Sequence, residues 1–158
     1  MKHVRNCSFH LQPYPGARIQ DLTYFIDSGF VSLNYDVIII HVGTNNVNFC
    51  QLADFEFYYN ELVSVVKRYV KPCTKIILSA IIPRLIDNES TGNFVTVVNK
   101  ALKSLCIRRN IDFVATYKPF LKFGRPVCEL FSPICKLHPN YFGNLKLTNF
   151  YVQVISNC

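Results

Sequence analysis

Nowhere in these 158 residues do two cysteines stand as C-x-x-C, and the seven present (Cys7, Cys50, Cys73, Cys106, Cys128, Cys135, Cys158) are scattered and odd in number. That excludes a disulfide scaffold and a zinc knuckle, and leaves small buried apolar residues in a reducing compartment as the expected role for most of them. No group of residues has metal-ligand spacing and no glycine-rich loop cradles a phosphate, so no metal or other cofactor is expected. Long hydrophobic runs are also missing. The longest strongly apolar one, Ile76 to Ile82, is interrupted by Ser79 and stopped at Pro83, far below the roughly 18 residues of a membrane helix. The opening MKHVRNCSF has no apolar core behind its basic residues, so no secretory leader is visible and an intracellular, cytoplasmic setting is expected. Acidic residues are scarce in one part only. Residues 1–90 hold eight Lys or Arg against eight Asp or Glu, whereas 91–158 hold nine against two (Asp112 and Glu129), so the whole formal charge of +7 lies in the second part.

What is present fits one α/β domain over residues 1–158, at 50% hydrophobic and 17% charged. Val37 to Val42 is a β-branched run ended by Gly43, as expected of a strand buried on both faces. Phe55, Tyr58, Tyr59, Leu62, Val65, Val66 and Tyr69 follow at helical spacing up to Pro72. Lys75 to Ile82 is a second buried strand, Phe94 to Leu105 a second amphipathic helix, and Ile111 to Ala115 a weaker strand. An irregular stretch with Pro119, Gly124, Pro126 and Pro133 leads to a last helix, Asn140 to Ile155, with Leu147, Tyr151, Val154 and Ile155 on one face. Upstream, Cys7 to Leu11 is expected as a strand, Pro13 to Gly16 as a turn and Arg18 to Phe30 as a helix. Alternating apolar strands and helices predict a parallel sheet covered on both sides, with ligands beyond the carboxyl ends of its strands. That rim gathers the turns at Pro15-Gly16-Ala17, Gly43-Thr44-Asn45-Asn46 and Ser79 to Arg84, and the loop from Cys135 to Asn140 is placed to fold over it.

Three blocks, YPGARIQDL, HVGTNNV and CKLHPNYFGNLKL, resemble in order and spacing the markers of the SGNH hydrolase (GDSL-type esterase) superfamily. The wording is closest to the esterase-like domains of LINE-type retrotransposons, where a Pro-Gly-Ala turn, a His-Val-Gly-x-Asn turn, a Ser-x-x-x-Pro-Arg segment and a Leu-His-Pro-Asn segment recur together. The resemblance implies a three-layer, flavodoxin-like parallel sheet of order 2-1-3-4-5 and hydrolysis of a small ester. Acyl transfer of this kind needs a Ser nucleophile, a His base, an acid that orients the His, and donors for the oxyanion. By resemblance Gly16 and Asn45 are the oxyanion donors and His138 the general base. Cys135 occupies the position of the Asp in Asp-x-x-His, and Asn46 stands where the glycine block often carries Asp.

The Gly-Asp-Ser block has no counterpart. Only fifteen residues precede Gly16, and Ser8, the one serine among them, lies within the expected strand. Loss of the nucleophile costs triad enzymes on the order of 10⁶ in turnover, so the esterase site is expected to be catalytically incomplete. A thiolate at Cys135 is a poor substitute, because its family position orients the His instead of facing the substrate. The implied sheet then has its first, central strand missing or replaced. Either Cys7 to Leu11 moves in beside Val37 to Val42, or the chain is the N-terminally incomplete part of a longer frame, and both predict a destabilised, poorly soluble domain. His41 reads as a satisfied rim histidine, and Arg84 either as a structural ion pair or as an anion contact. Two alternatives stay open: an esterase completed by an upstream Ser block, and a retroelement-derived module contacting nucleic acid through Lys100, Lys103, Arg108, Arg109, Lys118, Lys122 and Arg125.

Overall fold

Residues 8–157 are described by the structure, a computed structural model. Each helix starts where a side chain meets the first free backbone N–H groups. At α1 (Ile19–Asp27) the Arg18 N–H donates to the Asp21 carboxylate at 2.9 Å, and at α2 (Leu52–Tyr69) the Gln51 N–H donates to Asp54 at 2.8 Å. Asn88 caps α3 (Glu89–Arg109) by accepting from the Thr91 N–H, and Asn140 caps α4 (Tyr141–Ser156) by accepting from the Gly143 N–H. The α3 helix extends several residues beyond its apolar stripe at both ends, because Asn88 starts it and Asn110, in the left-handed region at φ 50°, stops it.

Three parallel strands form the main sheet in the order β1 (Val37–Ile40), β2 (Lys75–Ser79), β3 (Asp112–Val114). Strand alternation divides their side chains between two faces. Ile38, Ile40, Ile76 and Leu78 enter the large core with Ile19 and Ile26 of α1, Tyr59, Leu62 and Val66 of α2, and Val98 and Leu102 of α3. Ile39, His41, Ile77 and Ser79 face the other way, toward Tyr151 of α4. Helices thus lie on both sides of a parallel sheet, the expected three-layer α/β arrangement.

Two expectations need correction. Ser8 to Leu11 forms no strand and lies exposed, and Cys7 falls outside the described residues. This segment therefore does not replace a central strand. The Asp36 carbonyl accepts from Lys75 N at 2.8 Å, so alternation turns the N–H and C=O groups of Val37, Ile39 and His41 outward, where they have no backbone partner among the described residues. The stretch after β3 is also more ordered than its prolines imply. It holds a hairpin of β4 (Leu121–Lys122) and β5 (Arg125–Pro126) between 3-10 turns at Lys118–Phe120 and Cys128–Leu130. Beneath it lies a second apolar cluster of Ile82, Phe120, Leu130 and Phe131, joined by Leu147 of α4.

Candidate functional site

The carboxyl ends of the strands carry turns that are hydrogen-bonded to one another in series. Gly43, at φ 114°, lets the chain leave β1 and enter the 3-10 turn Thr44–Asn46. Under it, Tyr59 donates its hydroxyl to the Val42 carbonyl at 2.6 Å. Burial pushes the Tyr59 phenol well above its ordinary pKa, so it remains a donor. From that turn Asn45 Nδ2 donates to the Ala17 carbonyl at 3.0 Å, which brings Asn45 against the Gly16 turn. Gly16 is exposed at φ 76°, and its N–H has no partner among the described residues. One amide hydrogen of Asn45 is committed to Ala17, which leaves the second for another acceptor.

Asn46 is fully buried and structural. Its Oδ1 accepts from Ile19 N at 3.0 Å and its Nδ2 donates to Gln20 Oε1 at 2.9 Å, so it fastens the start of α1 to the rim. Arg84 takes the structural alternative. Its side chain is 3% exposed, and its Nε lies 2.9 and 3.0 Å from the two Asp87 oxygens. The same guanidinium donates to the Thr44 carbonyl at 3.1 Å and to Asn48 at 3.3 Å, tying the turn after β2 to the turn after β1. Thr44 Oγ1, in the turn after β1, is buried without a hydrogen-bond partner among the described residues.

The loop before α4 joins the series through Ile86 N, which donates to the Lys136 carbonyl at 3.2 Å. His138 is exposed, and its ring makes no hydrogen bond among the described residues. Cys135 contacts it differently from an orienting acid: its Sγ accepts from the His138 backbone N–H at 3.5 Å. The backbone N–H groups of His138 and Leu137, followed by the Ser132 hydroxyl, pull the Cys135 thiol below its usual pKa. Ser8, the only serine upstream of Gly16, lies in exposed coil.

A polar cluster under the rim joins His41 and Ser79 at the strand ends with Thr116 and Tyr151. Ser79 Oγ, on a residue 1% exposed, lies 2.9 Å from His41 Nδ1, 2.8 Å from the Tyr151 hydroxyl and 2.8 Å from Thr116 Oγ1. Desolvation by the surrounding protein lowers the His41 pKa from 6.5 to about 4, although the residue as a whole is exposed to solvent. The serine is buried and its hydroxyl is engaged by all three neighbours, so the cluster pins α4 to the sheet and offers no open nucleophile. The shared strand parity of His41 and Ser79 was the one signal for it; Thr116 and Tyr151 had none.

The seven basic residues are dispersed over α3, the 3-10 turn and the hairpin, and Arg109 is spent inward on the Asn60 carbonyl and Ser64 Oγ. Among the described residues no cluster of three His, Cys, Asp or Glu has metal-holding geometry, and no helix is long and apolar enough to cross a membrane.

No family model matches the chain, and no curated protein matches it. Solved structures do. A member of the lipolytic G-D-S-L family from Veillonella parvula DSM 2008 superposes with a TM-score of 0.73 at 18% identity, over 90% of this chain and 77% of that one. A GDSL-like lipase from Bacteroides thetaiotaomicron VPI-5482 gives 0.70 at 15%, over 90% and 72%. A catalytic mutant of an acetylxylan esterase from Geobacillus stearothermophilus gives 0.69 at 19%, over 89% and 68%. The fold is therefore that of the SGNH (GDSL-type) esterases, with a parallel three-stranded sheet and four helices.

Proposed function

We propose that residues 1–158 are a single esterase-type domain of SGNH ancestry, derived from a retroelement, that keeps the oxyanion side of its site and has lost turnover. Gly16 N–H and the free amide hydrogen of Asn45 are the oxyanion donors, and His138 is the residual general base. The observation that carries the reading is the Asn45–Ala17 hydrogen bond of 3.0 Å, which sets a side-chain amide beside an exposed backbone N–H at the strand ends. Loss of turnover is supported by the exposed coil around Ser8 and by Cys135, whose sulfur engages the backbone of His138 in place of its ring. In the acetylxylan esterase, catalytic mutants replace a Ser, an Asp and a His, with the Asp and His three residues apart, as Cys135 and His138 are here. The purified chain should hydrolyse p-nitrophenyl acetate at the buffer rate. A turnover that vanishes in His138→Ala would overturn the assignment.

A second reading, favoured by the outer groups of β1 that have no backbone partner among the described residues, is an active esterase once a strand bearing the Ser block is supplied. Fusing such a strand, turn and helix ahead of Met1 should then restore hydrolysis that depends on both the added Ser and His138.

A further inference from the structure

The two edges of the main sheet are finished differently. β3 is short and opens on Asp112, whose carboxylate meets Lys75 Nζ at 2.9 Å. Short, charged edges discourage further pairing. β1 has no such device. From Asn34 to Val42 the chain holds no Lys, Arg or Pro, and Asp36 is its one charged residue. Ile38 and Ile39 are half-buried, whereas their partners on β2, Ile76 and Ile77, are buried. The outward N–H and C=O groups of Val37, Ile39 and His41 have no backbone partner among the described residues.

The neighbouring segment does not close this edge. Gln12 Nε2 donates to the Ser32 carbonyl at 3.2 Å and Asn45 Nδ2 to the Ala17 carbonyl at 3.0 Å, so residues 12–17 pass from one end of β1 to the other. Tyr14 draws them toward α1, its ring centroid 5.5 Å from that of Phe25, and Pro13 and Pro15 have no N–H to offer the strand. Just before them His10 stacks on Tyr35 at 5.8 Å, which sets the exposed Phe9 and Leu11 beside the start of β1. An edge with outward groups at every second residue is complementary to itself when two copies run antiparallel. A second copy also brings the same flanking apolar residues, and it satisfies two open edges at once.

We propose that β1 pairs with β1 of a second copy about a two-fold axis at Ile39, joining the two three-stranded sheets into one. Ile39 then faces Ile39 and Val37 faces His41 across the axis, so the outward groups of both copies are used in about six hydrogen bonds. The same register sets Tyr35 level with Gly43 of the other copy. Phe9 and Leu11 are thereby carried to the turn that presents Asn45 in the other copy, where apolar surface that one chain leaves in water is covered. The dimer does not rest on the esterase reading, and it takes the edge that an added Ser-bearing strand would otherwise occupy.

The test is sedimentation equilibrium of the full chain, which should show a monomer–dimer equilibrium. Val37→Pro removes an outward N–H at the first residue of the strand, where Pro is tolerated, and should weaken association roughly thirtyfold. Ile39→Cys sets two thiols within disulfide reach across the axis. Mild oxidation should then give a dimer linked through residue 39 of both copies, read by peptide mass spectrometry, and Ser32→Cys should give none through residue 32. If Val37→Pro does not fold, the link through residue 39 decides alone. A chain that stays monomeric at every concentration, association unchanged in folded Val37→Pro, or absence of the link in Ile39→Cys would each overturn the proposal.

Discussion

Gly43→Ala tests whether the turn that presents Asn45 is shaped by the side chain beneath it. A methyl at residue 43 would overlap the Tyr59 hydroxyl and come within 3.1 Å of Ile81 Cδ1, on a backbone at φ 114°. Placing a side chain at positive φ costs about 1–2 kcal/mol. Displacing the Tyr59 hydroxyl leaves the Val42 carbonyl without its buried donor, a further ~1–3 kcal/mol. The sum, about 2–5 kcal/mol, corresponds to a fall in Tm of roughly 5–15 °C for a chain of this size. Tyr59→Phe removes the same hydrogen bond and should by itself cost ~1–3 kcal/mol. In the double variant the overlapping oxygen is gone and the hydrogen bond is lost only once, so its cost should fall short of the sum of the singles by about 1–3 kcal/mol. Urea unfolding of the four proteins measures this coupling. Additive single effects, within about 0.5 kcal/mol, would show that Tyr59 does not occupy the space and would refute the account of the turn.

Arg84→Met should cost about 3–5 kcal/mol in urea unfolding, because it leaves Asp87 charged and buried without its partner; a loss under 1 kcal/mol would mean that water replaces the guanidinium. Thr44→Val removes a buried hydroxyl that has no partner among the described residues and should stabilise by about 1 kcal/mol, whereas destabilisation would reveal a partner for that oxygen. His41 titrates at about 4 when folded and 6.5 when free, so the unfolded chain binds more protons in that window and Tm should fall as pH drops through it. The solvent exposure of the residue keeps the effect well below the full shift, and His41→Gln should flatten the slope; an unchanged slope would assign it to other groups. With its pKa lowered by backbone N–H groups, Cys135 should be alkylated by iodoacetamide at neutral pH faster than exposed Cys73 and Cys128, read by peptide mass spectrometry; equal rates would contradict the depressed pKa.

What could be read from the sequence follows from how local each signal is. The β1 and β2 runs are β-branched or apolar, so backbone preference and burial agree and both strands start where the pattern puts them, although β1 ends at Ile40 and β2 at Ser79, short of the runs that reach Val42 and Ile82. The Gly16 and Asn45 turns were legible as neighbours because parallel strands deliver their following turns to one rim, and the Asn45–Ala17 bond is that neighbourhood realised. The hairpin was not legible, since its strands have two residues each and Phe-Gly lacks the Asn-Gly signature. Ser8 to Leu11 alternates like a strand, but pairing is a tertiary property, and among the described residues nothing pairs with it. The Ser79 cluster lay furthest from reach, because Tyr151 meets His41 across 110 residues and only the docking of α4 selects it. The same distinction separates the two halves of the candidate site. The proposed oxyanion side, at Gly16 and Asn45, is written in short turns, whereas the environment of His138 depends on how a long loop folds back. There, only the three-dimensional arrangement could show the Cys135 sulfur taking the backbone N–H of His138 where the family pattern would have an acid orient the ring.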